Sequence, residues 1–447
     1  MATGIKPKLA YFDLTMIVVS LVIGIGIFRT PAIIAQKAGT PAIFFTAWIL
    51  GGIVAICGAL TFAEIGSRLP VAGGFYKIFS YCYHPAYAFM FNWAGVVINA
   101  ASAVGVAIAG AEYLNPIILP STMQGDAGVR FTALTVLLVL FILNYIGIKT
   151  GARTQNILSA IKIVLIVAFS LAIFGHHNAA VVAASPVHLS TGAALSALGV
   201  SFISIFFTYG GYQNTINFGA DIDKPAKNIP RSILTGMGIV IVLYLSINLA
   251  YYYVLGFDTM QHSKLLAAEL AKAFFGEKGL AITSIAIFIS TVGFINTSMM
   301  YNPRIYYAMA DDKILPPIFK KVNEKTMTQE FALGFFLALM IFSLFLLGTF
   351  EKIINYVMFI DSMALASAAA TIFIFRYREK QAGTTLNEAG QPIYRVLLYP
   401  VVPAILILFL LVVTVNVLFS DPMSALYGSI IFILGYPLYR VMRAVVK

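Results

Sequence analysis

The sequence predicts an all-α integral membrane protein of twelve transmembrane helices, and three observations carry that prediction. Of its 447 residues 60% are apolar and only 11% are charged, against about 25% charged in an ordinary soluble domain. Apolar runs long enough to cross a bilayer recur along the whole chain, and Lys and Arg collect in alternate connections between them. A spanning helix needs about 20 predominantly apolar residues, so twelve use roughly 240 of the about 268 available. This composition excludes a soluble enzyme, a nucleic-acid-binding protein, a secreted disulfide scaffold and a disordered chain.

Taken in order, the runs bounded by charges, Pro and Gly are 12–35, 42–62, 86–114, 131–148, 156–174 and 193–218 in the first half. The second half holds 233–256, 280–301, 331–347, 353–375, 398–419 and 423–439. The first run follows a short start carrying Lys6 and Lys8. It is too long for a signal-peptide core and lacks a small-residue cleavage pattern after it, so it reads as a retained helix. Residues 263–275 read as a surface amphipathic helix between the seventh and eighth spans. The whole of 1–447 reads as a single transmembrane domain.

Orientation follows from Lys and Arg alone. The even-numbered connections and the two termini hold 21 of the 29, including Lys149, Arg153, Lys224, Lys227, Arg231, Lys320, Lys321, Arg376 and Arg378. The odd-numbered connections hold 6, and Arg29 and Lys162 fall inside spans. Both termini are therefore expected in the cytoplasm. The two cysteines make no disulfide framework, and Cys57, within an apolar run, reads as a small core residue. No metal-site spacing is present, and no cofactor is expected.

Two spans are interrupted by glycine near their middles: the first at Gly24-Ile25-Gly26 and the sixth at Tyr209-Gly210-Gly211-Tyr212. The positions correspond if helices one to five (10–174) and six to ten (192–376) form two repeats, with 398–442 holding the last two helices. An unwound turn in a membrane frees N–H and C=O groups that must find partners. Half-helix N-termini favour a carboxylate and half-helix C-termini an ammonium, and a zwitterionic amino acid presents both. Paired interruptions point to a transporter binding site. The alternative is ordinary small-residue packing between helices.

With these segments the sequence resembles the amino acid–polyamine–organocation superfamily, and within it the L-type amino acid transporter branch and related bacterial permeases. The resemblance spans nearly the whole chain. Gly24-Ile25-Gly26-Ile27-Phe28 is similar to the family's GSGIF; Ala63-Glu64-Ile65-Gly66, Pro70 and Gly73-Gly74 are similar to its AELG…P…GG. Phe207-Thr208-Tyr209-Gly210-Gly211-Tyr212 followed by Asn228-Ile229-Pro230-Arg231 belongs to the same pattern, as do Tyr244 with Asn248, Asn296 with Arg304, and Leu315-Pro316. The resemblance implies two inverted five-helix repeats plus two peripheral helices, working by alternating access on an L-amino acid.

Carried over residue by residue, the resemblance implies a substrate site built from Val22, Ile23, Gly24, Ile25, Gly26 and Ile27 with Phe207, Thr208, Gly210 and Tyr244. Amides near Ile25 and Gly26 would hold the carboxylate, and carbonyls of Val22, Phe207 and Gly210 the amino group. Phe207 would be the gate ring, Thr208 and Gly210 would shape the side-chain pocket, and Tyr244 would link occupancy to closure. Ile25 stands where serine is usual, Tyr212 where tryptophan is common and Gln213 where asparagine is common. Relatives in the branch that pair with a heavy chain do so through a cysteine in the loop after helix three. Residues 115–130 contain none, so no disulfide-linked heavy chain is expected, and a bacterial inner membrane or plasma membrane is the expected location.

An ionisable residue inside a membrane is a functional candidate by default. Lys162 lies nine residues after Arg153, or roughly 13 Å along a helix. The resemblance implies a sodium-independent transporter whose Lys162 ammonium occupies the sodium position of sodium-coupled cousins and braces helix one. Because Phe294 replaces the family's small or hydroxyl residue, Ser290 or Thr291 is expected as the lysine's hydroxyl partner. The other reading of Lys162 is a stem snorkelling to the interface. Asp361 reads as a proton-coupling group, a lysine partner, a substrate-amine contact, or a residue wetted near the outer mouth. Arg29 reads as a vestibule residue biasing substrate charge or as a structural ion pair. Glu64 and Arg68 read as bracing the inner loop, and His176, His177 and His188 as a solvated loop rather than a metal site.

The leading function is therefore sodium-independent exchange or proton symport of L-amino acids. A sensor on a transporter fold, or a permease for a related amine, uses the same residues. An enzyme needs converging reactive groups, which the spans do not show; a channel needs rings of polar groups along an open path.

Overall fold

A computed structural model describes residues 7–174, 190–263, 265–346, 350–383, 386–387 and 390–446. Among these the chain is helical, with β pairing confined to isolated bridges. The first predicted span is two helices, α1 (Tyr11–Val22) and α2 (Gly26–Ala38), bent by 42° across residues 23–25. α3 (Pro41–Arg68) starts where the Thr40 hydroxyl accepts from the Ile43 amide and Pro41 fills the first turn, a position whose N–H has no helical partner. A helix the sequence reading did not foresee, α4 (Gly74–Cys82), fills the next connection. α5 (Pro85–Ile118) opens like α3, with His84 Nδ1 accepting from the Ala86 amide ahead of Pro85.

α6 (Asp126–Ile146) and α7 (Ile148–Ser170) are separated by Gly147 alone, at φ 156°. The expected connection over 149–155 is helical, because Lys149 and Arg153 end an apolar run without ending a helix. The same reason carries later helices past their expected ends. α8 (Thr191–Tyr209) closes the first half of the sixth predicted span. The remainder, expected as α-helix to 218, forms 3₁₀ turns at Tyr212–Asn217 and Gly219–Asp221.

α9 (Pro225–Ala250) ends in a π turn at Tyr251–Leu255. The predicted surface helix is two helices, α10 (Phe257–His262) and α11 (Leu266–Phe275). α11 is tucked in rather than lying free: Leu266, Ala267, Leu270 and Ala271 are buried. Then come α12 (Gly279–Asp311), α13 (Glu330–Leu346), α14 (Phe350–Ala382), α15 (Val401–Ser420) and α16 (Pro422–Val445).

Among the described residues, nine helices are long and apolar enough to cross a membrane, and the bent α1–α2 pair makes a tenth span. Two expected spans coincide with shorter apolar helices, Thr191–Phe206 and Glu330–Leu346. α1 packs against α9, α7 and α12; α8 packs against α3 and α2; α5 packs against α12. Both helix breaks are thereby enclosed by other helices, where a non-helical backbone in a membrane is tolerated. α15 and α16 carry exposed apolar side chains such as Leu408, Val412, Ile433 and Leu434, a surface suited to lipid.

Candidate substrate site at the helix breaks

The two interruptions meet. α1 stops at Val22, and the Gly24 amide turns back to the Val22 carbonyl at 2.9 Å. Gly211, just after α8, has φ 117°, a conformation that favours glycine. A Cβ there would also lie 2.4 Å from the Leu21 carbonyl oxygen, so the backbones of the two breaks are in direct contact. The Gly211 amide donates to Gln213 Oε1 at 2.9 Å.

Thr208 lies against Gly26: a Cβ on Gly26 would come 3.3 Å from the Thr208 methyl. The Thr208 hydroxyl is committed to its own helix, donating to the Ser204 carbonyl at 2.8 Å. A Cβ on Gly24 meets no heavy atom within 4 Å, so room remains beside the break. Ile25 and Gly26 are partly exposed there, whereas Ile23 and Ile27 are fully buried. Of Phe207 the backbone is helical, and its side chain lies outside the described part, as do His176, His177 and His188.

Two side chains brace the freed carbonyls. The buried Tyr244 hydroxyl donates to the Val22 carbonyl at 2.9 Å. Lys162, equally buried, donates to the Ile23 carbonyl at 2.8 Å, to Ser20 Oγ at 2.7 Å and to the Ser20 carbonyl at 3.2 Å. Its ammonium is thus held by helix one at the break and does not reach for the interface. The far side of the ammonium is the α12 backbone, since a Cβ on Gly293 would lie 2.7 Å from Lys162 Nζ. The expected hydroxyl partners are corrected: Ser290 and Thr291 donate to the Ala286 and Phe288 carbonyls of their own helix. A hydroxyl in a helix readily bonds a carbonyl one turn back; the hydroxyl that reaches the lysine is Ser20.

Ser20 was missed by sequence reasoning, although it is a hydroxyl set among apolar residues four positions before Gly24. So were Trp48 and Tyr209. Their rings stack edge-on at 5.7 Å, and each packs on Tyr244, at 6.0 Å and 5.2 Å. Both are buried, and neither Trp48 Nε1 nor the Tyr209 hydroxyl finds a partner among the described residues.

Asp361 is not at Lys162's side. It lines a cavity of about 80 Å³ between α5, α12, α14 and the 3₁₀ turn after Gly211. Asn92, Asn99, Gln213 and Asn214 share that lining, and Asn99 donates to Asn302 at 2.8 Å. Arg29 is exposed on α2.

At one end of the molecule the elements are tied together. Leu9 pairs with Ile222 and Ala72 with Phe218, and the Lys8 and Leu9 amides donate to the Asp221 carbonyl. The Asp221 carboxylate holds Arg304 at 2.5 Å and 3.1 Å. Glu64 accepts from Arg68 at 2.6 Å, Arg376 at 2.7 Å and the Val396 amide at 2.7 Å, joining α3 to α14 and to the strap before α15. Arg68 also reaches Glu379 at 2.8 Å. Lys77 of α4 bonds Asp311 at 3.0 Å and Asp312. Burial pulls the Lys77 ammonium down, but Asp312 and Asp311 outweigh it and hold its pKa above the ordinary lysine value.

A lysine-braced break and a second break pressed against it thus form one membrane-embedded site. The amino acid permease family profile matches residues 9–439, so the chain belongs to that family. It is similar to the serine/threonine exchanger SteT of Bacillus subtilis, 27% identical over 98% of this chain and 98% of the relative. It is also similar to human large neutral amino acids transporter small subunit 2, 26% identical over 98% of this chain and 80% of the relative. The cystine/glutamate transporter of Pongo abelii is 25% identical over 97% of this chain and 85% of that protein.

Proposed function

We propose that this permease moves L-amino acids by alternating access, without sodium, as an exchanger or a proton symporter. The contact between the two broken helices is the observation that carries the reading. Free N–H groups at the start of α2 face a substrate carboxylate, and the carbonyl ends of α1 and α8 face its ammonium. Val22, Ile23, Gly24, Ile25, Gly26 and Ile27 supply one half of the site, and Phe207, Thr208 and Gly210 the other. Tyr244 and Lys162 hold the α1 carbonyls in place, so the site is preorganised before substrate arrives. Lys162 supplies the fixed positive charge that a sodium ion supplies elsewhere. The relatives, an exchanger and amino acid transporters by name, support the same substrate class.

Asp361 is proposed as the proton-coupling carboxyl, because its polar cavity borders the turn after Gly211. Arg29 on α2 biases the charge of what enters the vestibule. The full architecture is twelve spans in two inverted repeats, 10–174 and 192–376, followed by helices eleven and twelve. The Lys and Arg asymmetry supports a plasma or bacterial inner membrane with both termini, and the end tied at Glu64 and Asp221, on the cytoplasmic side. The chain works without a disulfide-linked heavy chain. Gly26→Val tests the site: it places two methyls against Thr208 and over the carboxylate position. Saturable amino acid binding to the purified protein is expected to disappear while its thermal stability stays within a few degrees. Unchanged affinity would remove the first break from the site.

A further inference from the structure

A groove outside the transport pathway has the chemistry of a lipid-headgroup site. It has a volume of about 580 Å³ and lies between the start of α9 and the strap that precedes α15. Its cations are Lys227 and Arg231, four residues apart on one face of α9, and Lys224, which caps the start of that helix. All three are exposed, and none pairs with an acid among the described residues. Asp223 is the nearest carboxylate in sequence, and it does not line the groove. Toward the membrane the lining turns apolar, with Pro230, Leu234 and Ile393, and Tyr394 closes the opposite wall. Lys227 and Leu234 are seven residues apart on the helix, or roughly 10 Å. That separation takes a phosphate at one end and the start of an acyl chain at the other. Gln391 anchors the far wall by accepting from the Ala226 amide at 3.4 Å.

We infer that this groove binds one anionic glycerophospholipid, with its phosphate between Lys227 and Arg231 and its acyl chains along Leu234 and Ile393. Charge complementarity selects the anionic headgroup, and the basic-to-apolar gradient along α9 selects a lipid over a soluble anion. The inference stands apart from the identity of the transported substrate.

The test is native mass spectrometry of the detergent-purified chain titrated with phosphatidylglycerol or phosphatidylcholine. One phosphatidylglycerol is expected to be retained, with phosphatidylcholine lost at the same collision energy. A cation near a lipid surface contributes about 1 kcal/mol, so Lys227→Gln/Arg231→Gln is expected to weaken retention roughly thirtyfold. Lys320→Gln/Lys321→Gln, which removes two cations remote from the groove, is expected to leave it unchanged. Equal retention of both lipids, equal loss in both double variants, or displacement of the lipid by millimolar inorganic phosphate would each overturn the inference.

Discussion

At the scale of single residues Lys162 holds the break in helix one. Its ammonium bonds the Ile23 carbonyl and both oxygens of Ser20, so its removal leaves buried acceptors without a donor. Each such group costs about 1–3 kcal/mol. Lys162→Met is therefore predicted to lower the thermal midpoint and to bring amino acid uptake to background, while Ser20→Ala keeps partial uptake because the Ile23 bond survives. Uptake by the unmodified protein is predicted to be the same in sodium and in choline buffers; strict sodium dependence would remove the role given to this lysine. Gly211→Ala is predicted to be worse than an ordinary glycine substitution. It strains a positive φ and drives a Cβ onto the Leu21 carbonyl, which fluorescence thermal unfolding will register as a loss of several degrees or as failure to express.

At the scale of elements the end around Glu64 and Asp221 is tied by charges that composition alone counts but does not place. Arg376→Gln leaves Glu64 buried with one fewer cation, and breaking a buried pair costs about 3–5 kcal/mol. Weaker closure is predicted, read as faster maleimide labelling of a cysteine introduced at Ala72; unaltered labelling would separate this cluster from gating. The elements also show what a sequence displays. The break at Gly24-Ile25-Gly26 was legible because glycine interrupts an apolar run, and the intramembrane lysine because its charge stands alone. The 3₁₀ turns after Gly211 were not, since Tyr212–Asn217, though polar, holds no proline or glycine to mark the change, and tertiary contacts hold it in place. The ends of α7, α12 and α14 were misjudged for one reason: an apolar run marks where lipid stops, and the helices continue past it, α12 through residues buried in the protein. Ser20, Trp48 and Tyr209 were hidden because residues distant in sequence give them their roles.

At the scale of the whole molecule, two broken helices enclosed by their neighbours and one end tied by ion pairs fit one half of the proposed alternating cycle. If protons drive it, Asp361→Asn is predicted to abolish uptake driven by a pH gradient while leaving counterflow of preloaded amino acid intact; loss of both would make Asp361 part of the substrate site instead. The most direct measurement is uptake and counterflow in proteoliposomes with a panel of labelled amino acids, varying internal amino acid, pH gradient and sodium separately. Saturable, sodium-independent transport of at least one L-amino acid, lost in Gly26→Val, is the result expected. Absence of uptake and of counterflow for every amino acid on the panel would contradict the account.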